Sequence, residues 1–352
     1  MPMITKLGIK DFFAAKHSLP LIDVRSPGEF EKGHIVGAVS IPLFSNDERA
    51  HVGTVYVQQS KEKAVELGYK YVTPKLNWFV EQSRKVARQS SVAIHCWRGG
   101  MRSQAFAEHL YSNGFKEVNI LEGGYKAYRN YMLSIFEQTF NLRILGGYTG
   151  SGKTYILEEL KVLGEQIIDL EGIAHHKGSA FGAIGETIQP TQEQFENNLF
   201  EKLRLFNRKT PIWIEDESHN VGHVNIPIVF FRQIREQTVY FIDIPKEKRA
   251  EHLVREYSAF GNSLIANSIN GISKRLGGQN VKLAHEYLAK NNYFEVVMLA
   301  LQYYDKAYEK GVKSRNQEKV FTLSLSEMNH KNNAKSILKF VEKHERNKTY
   351  SI

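Results

Sequence analysis

The sequence predicts an α/β protein made of two parallel-sheet domains in series, followed by a mainly helical C-terminal part. Three observations carry this. Short apolar runs of strand length alternate with stretches of helical spacing. Two of the strand-to-helix transitions are Gly-rich loops, at 96–103 and 147–154. Several strand runs end in a carboxylate, which a parallel sheet places at the edge where ligands bind.

In chain order, Leu21-Ile22-Asp23-Val24 is the first short strand, Val92 to His95 the second and Val118-Asn119-Ile120-Leu121 the third. Lys75 to Ala87 and Gln104 to Tyr111 have helical spacing between them. These make a first domain over residues 1–130. Gly123-Gly124 opens a helical stretch, and residues 131–140 are expected to link to the next domain. A second α/β unit, 141–265, starts at Leu142-Arg143-Ile144-Leu145. Its further strands are Gln166 to Asp169, Pro211 to Glu215 and Val239 to Asp243, each with a terminal acid. Residues 266–352 are expected to be mainly helical, with one strand-like run at Val320-Phe321-Thr322-Leu323 and a lysine-rich tail.

The bulk numbers narrow the function classes. With 352 residues, 42% hydrophobic and 24% charged, the chain is an ordinary globular composition long enough for two cores. Its one cysteine rules out an internal disulfide framework and suits a reducing, cytoplasmic setting. No apolar stretch approaches the roughly 18 residues of a membrane span, and the N-terminus has no apolar signal-peptide core. The net charge of +9 suits a polyanionic partner such as nucleic acid.

The single thiol, Cys96, stands where a strand meets a Gly-rich loop: His95-Cys96-Trp97-Arg98-Gly99-Gly100-Met101-Arg102-Ser103. Backbone N–H groups, a helix N-terminus and the guanidiniums of Arg98 and Arg102 are expected around it. All of these favour thiolate and an anionic ligand. Most lone cysteines are small buried hydrophobes; the flanking strand, Gly-Gly pair, arginines and helix argue for a nucleophile here.

Gly147-Tyr148-Thr149-Gly150-Ser151-Gly152-Lys153-Thr154 fits G-x-x-x-x-G-K-[ST] between a strand and a helix. The loop amides of Gly147, Gly150, Ser151 and Gly152 would close on phosphate oxygens. Lys153 would add a charge, and Thr154 a hydroxyl suited to Mg²⁺. The pattern specifies a phosphate or diphosphate, not a nucleoside. Asp169, Glu171, Glu215 and Asp216 are the candidates for positioning a metal or substrate, Glu215-Asp216 standing like a Walker-B acid. The Gly- and Ser-rich loop His175 to Gly182 is a candidate substrate gate. His175, His176, His219 and His223 read as hydrogen-bonding rather than metal-ligating histidines, and no tightly bound cofactor is expected.

Asp23-Val24-Arg25-Ser26-Pro27-Gly28-Glu29-Phe30 and Gly33-His34-Ile35-Val36-Gly37-Ala38-Val39-Ser40-Ile41-Pro42 resemble the rhodanese family, which then carries a cysteine loop. Gly123-Gly124-Tyr125 is similar to that family's closing string, with Tyr128 in place of tryptophan. Cys96 matches the family's persulfide cysteine. The five residues between Cys96 and Arg102, where common rhodaneses have four, resemble instead the loop of cysteine phosphatases and suit a tetrahedral anion.

The combination is more specific. The cysteine loop, the 147–154 loop and the string Asp169-Leu170-Glu171-Gly172 to Gly182 together resemble the tRNA 2-selenouridine synthase family. That resemblance implies an N-terminal rhodanese-like domain and a P-loop NTPase-like domain. It implies conversion of 2-thiouridine at wobble position 34 of tRNA to 2-selenouridine with selenophosphate. An S-geranyl intermediate would be made from geranyl diphosphate. Cys96 would be catalytic; Trp97, Arg98, Gly99, Gly100, Arg102 and Ser103 would hold selenophosphate; Gly147 to Thr154 would hold the diphosphate. Selenophosphate synthetase is the implied supplier, and Lys274 and Arg275 are candidate tRNA contacts, with Arg232, Arg235, Lys306, Lys310, Lys313 and Arg315 as further basic candidates. The alternative reading is a cysteine-dependent phosphatase fused to a P-loop kinase-like domain.

Overall fold

A computed structural model describes residues 3–16, 19–87, 89–179 and 181–349. The chain divides into two compact units, Met1–Ile135 and Phe136–Ile352.

The first unit holds strands β1 (Met3–Leu7), β2 (Leu21–Asp23), β3 (Ala38–Ser40), β4 (Ser91–His95) and β5 (Glu117–Leu121). They form one parallel sheet in the order β1-β5-β4-β2-β3. The two longest inner strands, β4 and β5, are nearly continuous apolar runs because helices cover both faces. Ile22, Ile94 and Ile120 meet Phe79, Phe106 and Leu110 in the core. The expected helices at 75–87 and 104–111 are Leu76–Val86 and Met101–Ser112. The helices Asn46–Gln58 and Lys61–Val72 were not anticipated. The first buries only Val55, so it lacks an apolar stripe. Its signal was the capping box of Ser45 and Glu48. Helix Gly124–Phe136 spans much of the stretch expected as a linker.

The second unit has β6 (Leu142–Gly147), β7 (Gln166–Ile168), β8 (Ile212–Glu215), the antiparallel pair β9 (Asn220–Val221) and β10 (Val224–Asn225), β11 (Val239–Asp243) and β12 (Val320–Ser324). Its parallel sheet runs β12-β11-β6-β8-β7. The region 266–352 is therefore not one helical body. β12 pairs along the whole of β11, and helix His330–Thr349 sends Ala334, Ile337 and Val341 into the core around Leu145, Ile156 and Trp213. The unpaired edge of β11 recruits a β-branched and aromatic segment from far along the chain. The helices between 262 and 313 have their own apolar core, which includes Phe181 and Tyr257. Among the described residues, no helix is long and apolar enough to cross a membrane.

Candidate functional site

Two strand–loop–helix junctions hold most of the residues that the sequence singles out, one in each unit. In the first, β4 delivers Cys96 to the loop, buried to 3% exposure. Its Sγ lies 3.3 Å from Ser103 Oγ. Ser103 donates its own proton to the Gly100 carbonyl at 3.1 Å, so its oxygen is left to accept from the thiol. Helix Met101–Ser112 starts directly after Gly100 and leaves its first-turn amides without intrahelical acceptors.

The loop is clamped from behind. Tyr125 N–H donates to the Cys96 carbonyl (2.8 Å) and Lys126 N–H to that of Trp97 (2.9 Å). Gly124 has φ +58°, and a Cβ there would fall 2.3 Å from the Cys96 oxygen. The Gly123-Gly124-Tyr125 string thus has a physical role: only glycine lets the two backbones approach this closely. Tyr125 then stacks on Tyr128, with ring centroids 5.6 Å apart, and both are fully buried.

The charges around this loop are already paired. Asp23 accepts from Arg25 Nε (3.0 Å) and Nη2 (2.7 Å), and the guanidinium lies 3.7 Å from the Tyr125 ring centre. Burial pushes the Asp23 carboxyl up, but His95 and Arg25 together hold it below its ordinary value. His95 is fully buried with Nε2 3.6 Å from Asp23. Burial drives its pKa down to about 4, against the pull of Asp23, so the imidazole is neutral.

Arg102 requires a correction. It was expected to face the anion beside the thiol, but it donates to Glu29 at 2.8 Å. Burial would raise Glu29; the Arg102 bond and charge, with the Ser26 amide, hold it low instead. Arg98 is exposed. Of the two expected guanidiniums, one is committed to a carboxylate.

In the second unit, β6 leads into the 147–154 loop and helix Lys153–Val162. Gly152 sits at φ +73°, and a Cβ on it would lie 2.7 Å from His330 Nε2. Lys153, 8% exposed, donates to the Gly147 carbonyl at 3.2 Å, with Nζ 5.2 Å from the Tyr308 ring centre. Ser151 is fully buried and its Oγ has no hydrogen-bond partner among the described residues. Arg249, itself buried, ties the loop to helix Tyr293–Lys313: it donates to the Thr149 carbonyl (3.0 Å) and, in a fork, to both Asp305 oxygens (2.9 and 3.0 Å).

Carboxyl groups line the sheet edge beside Lys153. Thr154 Oγ1 donates to Glu171 (3.0 Å), and Glu171 N–H donates to Glu215 (2.9 Å). Asp169 caps helix Leu170–Ala174 through the Gly172 amide (2.7 Å). Glu217, absent from the sequence-based set, joins them at 5% exposure; a Cβ on Gly178 would lie 2.6 Å from its Oε2. Gly178 of the gate-like loop therefore packs closely against Glu217 and Glu171. Burial, reinforced by mutual repulsion, raises Glu215 and Glu217 well above the usual carboxylate range. Asp169 and Glu171 rise mainly through burial, Glu171 against the pull of Lys153. Interaction with Glu171 adds to the rise at Glu217. Glu217 lies past the end of β8, where the chain turns and its N–H donates to the Glu215 carbonyl at 3.1 Å, so strand alternation in the sequence could not have found it.

Asp216 is the second correction. Its carboxylate is held by Arg315, which is 6% exposed, and by Arg235 at 3.4 Å. It is a structural ion pair rather than a Walker-B ligand, and Arg235 and Arg315 are correspondingly withdrawn from the basic set expected to meet tRNA. Lys274 and Arg275 are exposed on the short helix Ser273–Leu276, Arg275 donating to Tyr303 OH at 3.2 Å. His175 contacts the Ile188 carbonyl (3.0 Å) and His223 that of Pro190 (3.2 Å). Among the described residues, no group of three His, Cys, Asp or Glu side chains is arranged to hold a metal ion.

Comparison with known proteins places both halves. Residues 9–131 match the family model of the rhodanese-like domain. Residues 140–339 match that of the tRNA 2-selenouridine synthase AAA domain. Three proteins named tRNA 2-selenouridine synthase are similar over most of their length. That of Bdellovibrio bacteriovorus is 41% identical over 276 residues, 73% of this chain and 70% of that one. That of Shewanella denitrificans is 33% identical over 341 residues, 86% and 90% of the two chains. That of Serratia proteamaculans is 34% identical over 349 residues, 88% and 91%.

Proposed function

The chain belongs to the tRNA 2-selenouridine synthase family, and on that premise we propose that its two cradles perform successive steps on one wobble uridine. The first step belongs to the loop 147–154. The 2-thio sulfur of uridine 34 attacks C1 of geranyl diphosphate, the C–S bond forms, the C1–O bond breaks and diphosphate leaves with the electron pair. Lys153 and the loop amides hold that diphosphate and stabilise its developing charge. The hard oxygen donors of Thr154, Glu171 and Glu217 suit Mg²⁺, which would offset diphosphate charge there.

The second step belongs to the Cys96 loop. Selenophosphate is held by the first-turn amides of helix Met101–Ser112, by Ser103 and by Arg98. Selenium forms the new bond to C2, the geranyl thiol leaves with a proton, and water takes up the phosphoryl group as phosphate. Cys96 serves this selenium transfer. Selenophosphate synthetase supplies the donor, and the exposed Lys274 and Arg275 contact the tRNA backbone, in the cytoplasm.

The observation that carries this reading is the presence in one chain of two strand–loop–helix junctions, one opening on a buried thiol and one closing on a buried lysine. It is tested by mass analysis of tRNA nucleosides after incubation with 2-thiouridine tRNA. Geranyl diphosphate alone should yield S-geranyl-2-thiouridine, and adding selenophosphate should yield 2-selenouridine. Selenouridine formed with no geranyl diphosphate present would overturn the two-step order.

A further inference from the structure

Lys153 stands between competing attractions. Its ammonium donates to the Gly147 carbonyl at 3.2 Å. Glu171 and Glu217 are close enough for the lysine charge to pull on both carboxyls. The same ammonium lies over the Tyr308 ring, with Nζ 5.2 Å from its centre. A cation within about 6 Å of an aromatic face is attracted by the ring quadrupole, and more strongly once water is excluded. At 8% exposure Lys153 is largely desolvated.

Tyr308 comes from far along the chain, on helix Tyr293–Lys313, one turn beyond Asp305 and on the same face. Asp305 is gripped in a fork by Arg249, which also donates to the Thr149 carbonyl of the 147–154 loop. The helix is thus anchored to the loop at Asp305, and that anchor fixes where the Tyr308 ring falls. Burial raises the Tyr308 hydroxyl well above its ordinary range, with Glu217, Glu171 and Asp216 adding to the rise, against a hydrogen bond with the Thr149 side chain. The phenol therefore stays neutral and brings the lysine a ring face without a charge.

We propose that Tyr308 is the positioning residue of Lys153: its ring keeps the ammonium beside the loop and out of ion pairs with Glu171 and Glu217, so that the charge stays available to the leaving diphosphate. The proposal rests on the reading of residues 147–154 as the diphosphate site. A lysine released from the ring is free to pair with either carboxyl, and its charge is then neutralised there. In a buried setting such a pair is held more strongly than in water, so an arriving diphosphate has to break it.

The experiment measures single-turnover geranyl transfer to 2-thiouridine tRNA and equilibrium binding of inorganic pyrophosphate. It uses the full chain with Tyr308 and Lys153 changed singly and together. Tyr308→Leu should weaken pyrophosphate about tenfold and slow transfer by at least that factor, as for loss of a desolvated cation–π contact, with tRNA affinity unchanged. Tyr308→Phe keeps the ring and should hold both readings near the unsubstituted values. In the Lys153→Ala background Tyr308→Leu should cost nothing further, because the residue acts through the lysine. Tyr308→Met makes the same test if the leucine protein does not fold. Unchanged pyrophosphate binding and transfer in Tyr308→Leu would overturn the proposal. So would a Tyr308→Phe protein as impaired as the leucine one, or a loss that persists in full in the Lys153→Ala background. A different result, pyrophosphate binding that survives Lys153→Ala undiminished, would remove the diphosphate reading itself.

Discussion

Both Gly-rich loops leave the carboxyl end of a parallel strand and enter a helix, yet the carboxyl groups beside them behave oppositely. Beside Cys96, Asp23 and Glu29 are held low, each on an arginine, and His95 is kept neutral. Beside Lys153, Glu215 and Glu217 are pushed high, because acids outnumber the one nearby lysine in a buried setting. Around the first loop Asp23 and Glu29 are each paired with an arginine, while Arg98 is exposed. Around the second, the buried carboxyl groups are shifted upward, first by burial and then by one another. The difference teaches that similar strand–loop–helix motifs can stand in opposite electrostatic settings, set by residues outside the motif.

Several changes would break or sharpen this contrast. The largest effect on stability is expected where a charge is buried outside both cradles. Asp216→Asn leaves Arg315 without its carboxylate, a loss of about 3–5 kcal/mol in denaturant unfolding, with geranyl transfer per folded molecule little changed. A loss of transfer with stability intact would return Asp216 to the second cradle. Gly124→Ala should cost about 3 kcal/mol, through positive φ and collision with the Cys96 oxygen. Gly100→Ala, with open space around it, should stay within about 0.5 kcal/mol. Equal costs would remove the clamp from the account.

The pH dependence of the two sites should differ in sign. His95 has its folded-state pKa depressed from 6.5 to about 4. Its neutral burial therefore contributes stability that is present above pH 6.5 and lost as pH falls towards 4, roughly 3 kcal/mol in all. His95→Asn should flatten that loss when unfolding midpoints at pH 7 and pH 4 are compared. Glu217 is raised above its ordinary 4.5, so its contribution is fully present below pH 4.5 and lost as pH rises through its folded value. Glu217→Gln should therefore gain stability relative to the unsubstituted protein as pH rises, the smallest of these effects. Parallel profiles for the two proteins would show that Glu217 is not held protonated.

The sequence was most legible where structure is local. The strand–loop–helix context of 96–103 and 147–154, and the strands that carry them, lie within short windows. What it concealed depends on partners far apart. Arg102 meets Glu29 across 73 positions and Asp216 meets Arg315 across 99. β12 joins the sheet only because the edge of β11 lies open to it. Glu217 lies beyond β8 in a tight turn, and its place depends on the closeness of Lys153 and Gly178.

The division of labour between the cradles is tested most directly with purified tRNA carrying S-geranyl-2-thiouridine at position 34. Given selenophosphate, the Lys153→Ala protein should convert it to 2-selenouridine at close to the unsubstituted rate, while making about 10²–10³-fold less of it from 2-thiouridine tRNA and geranyl diphosphate. Cys96→Ser should do the reverse, accumulating the S-geranyl nucleoside and failing to replace it with selenium. A Lys153→Ala protein inactive on both tRNAs, or a Cys96→Ser protein that forms 2-selenouridine normally, would contradict the account.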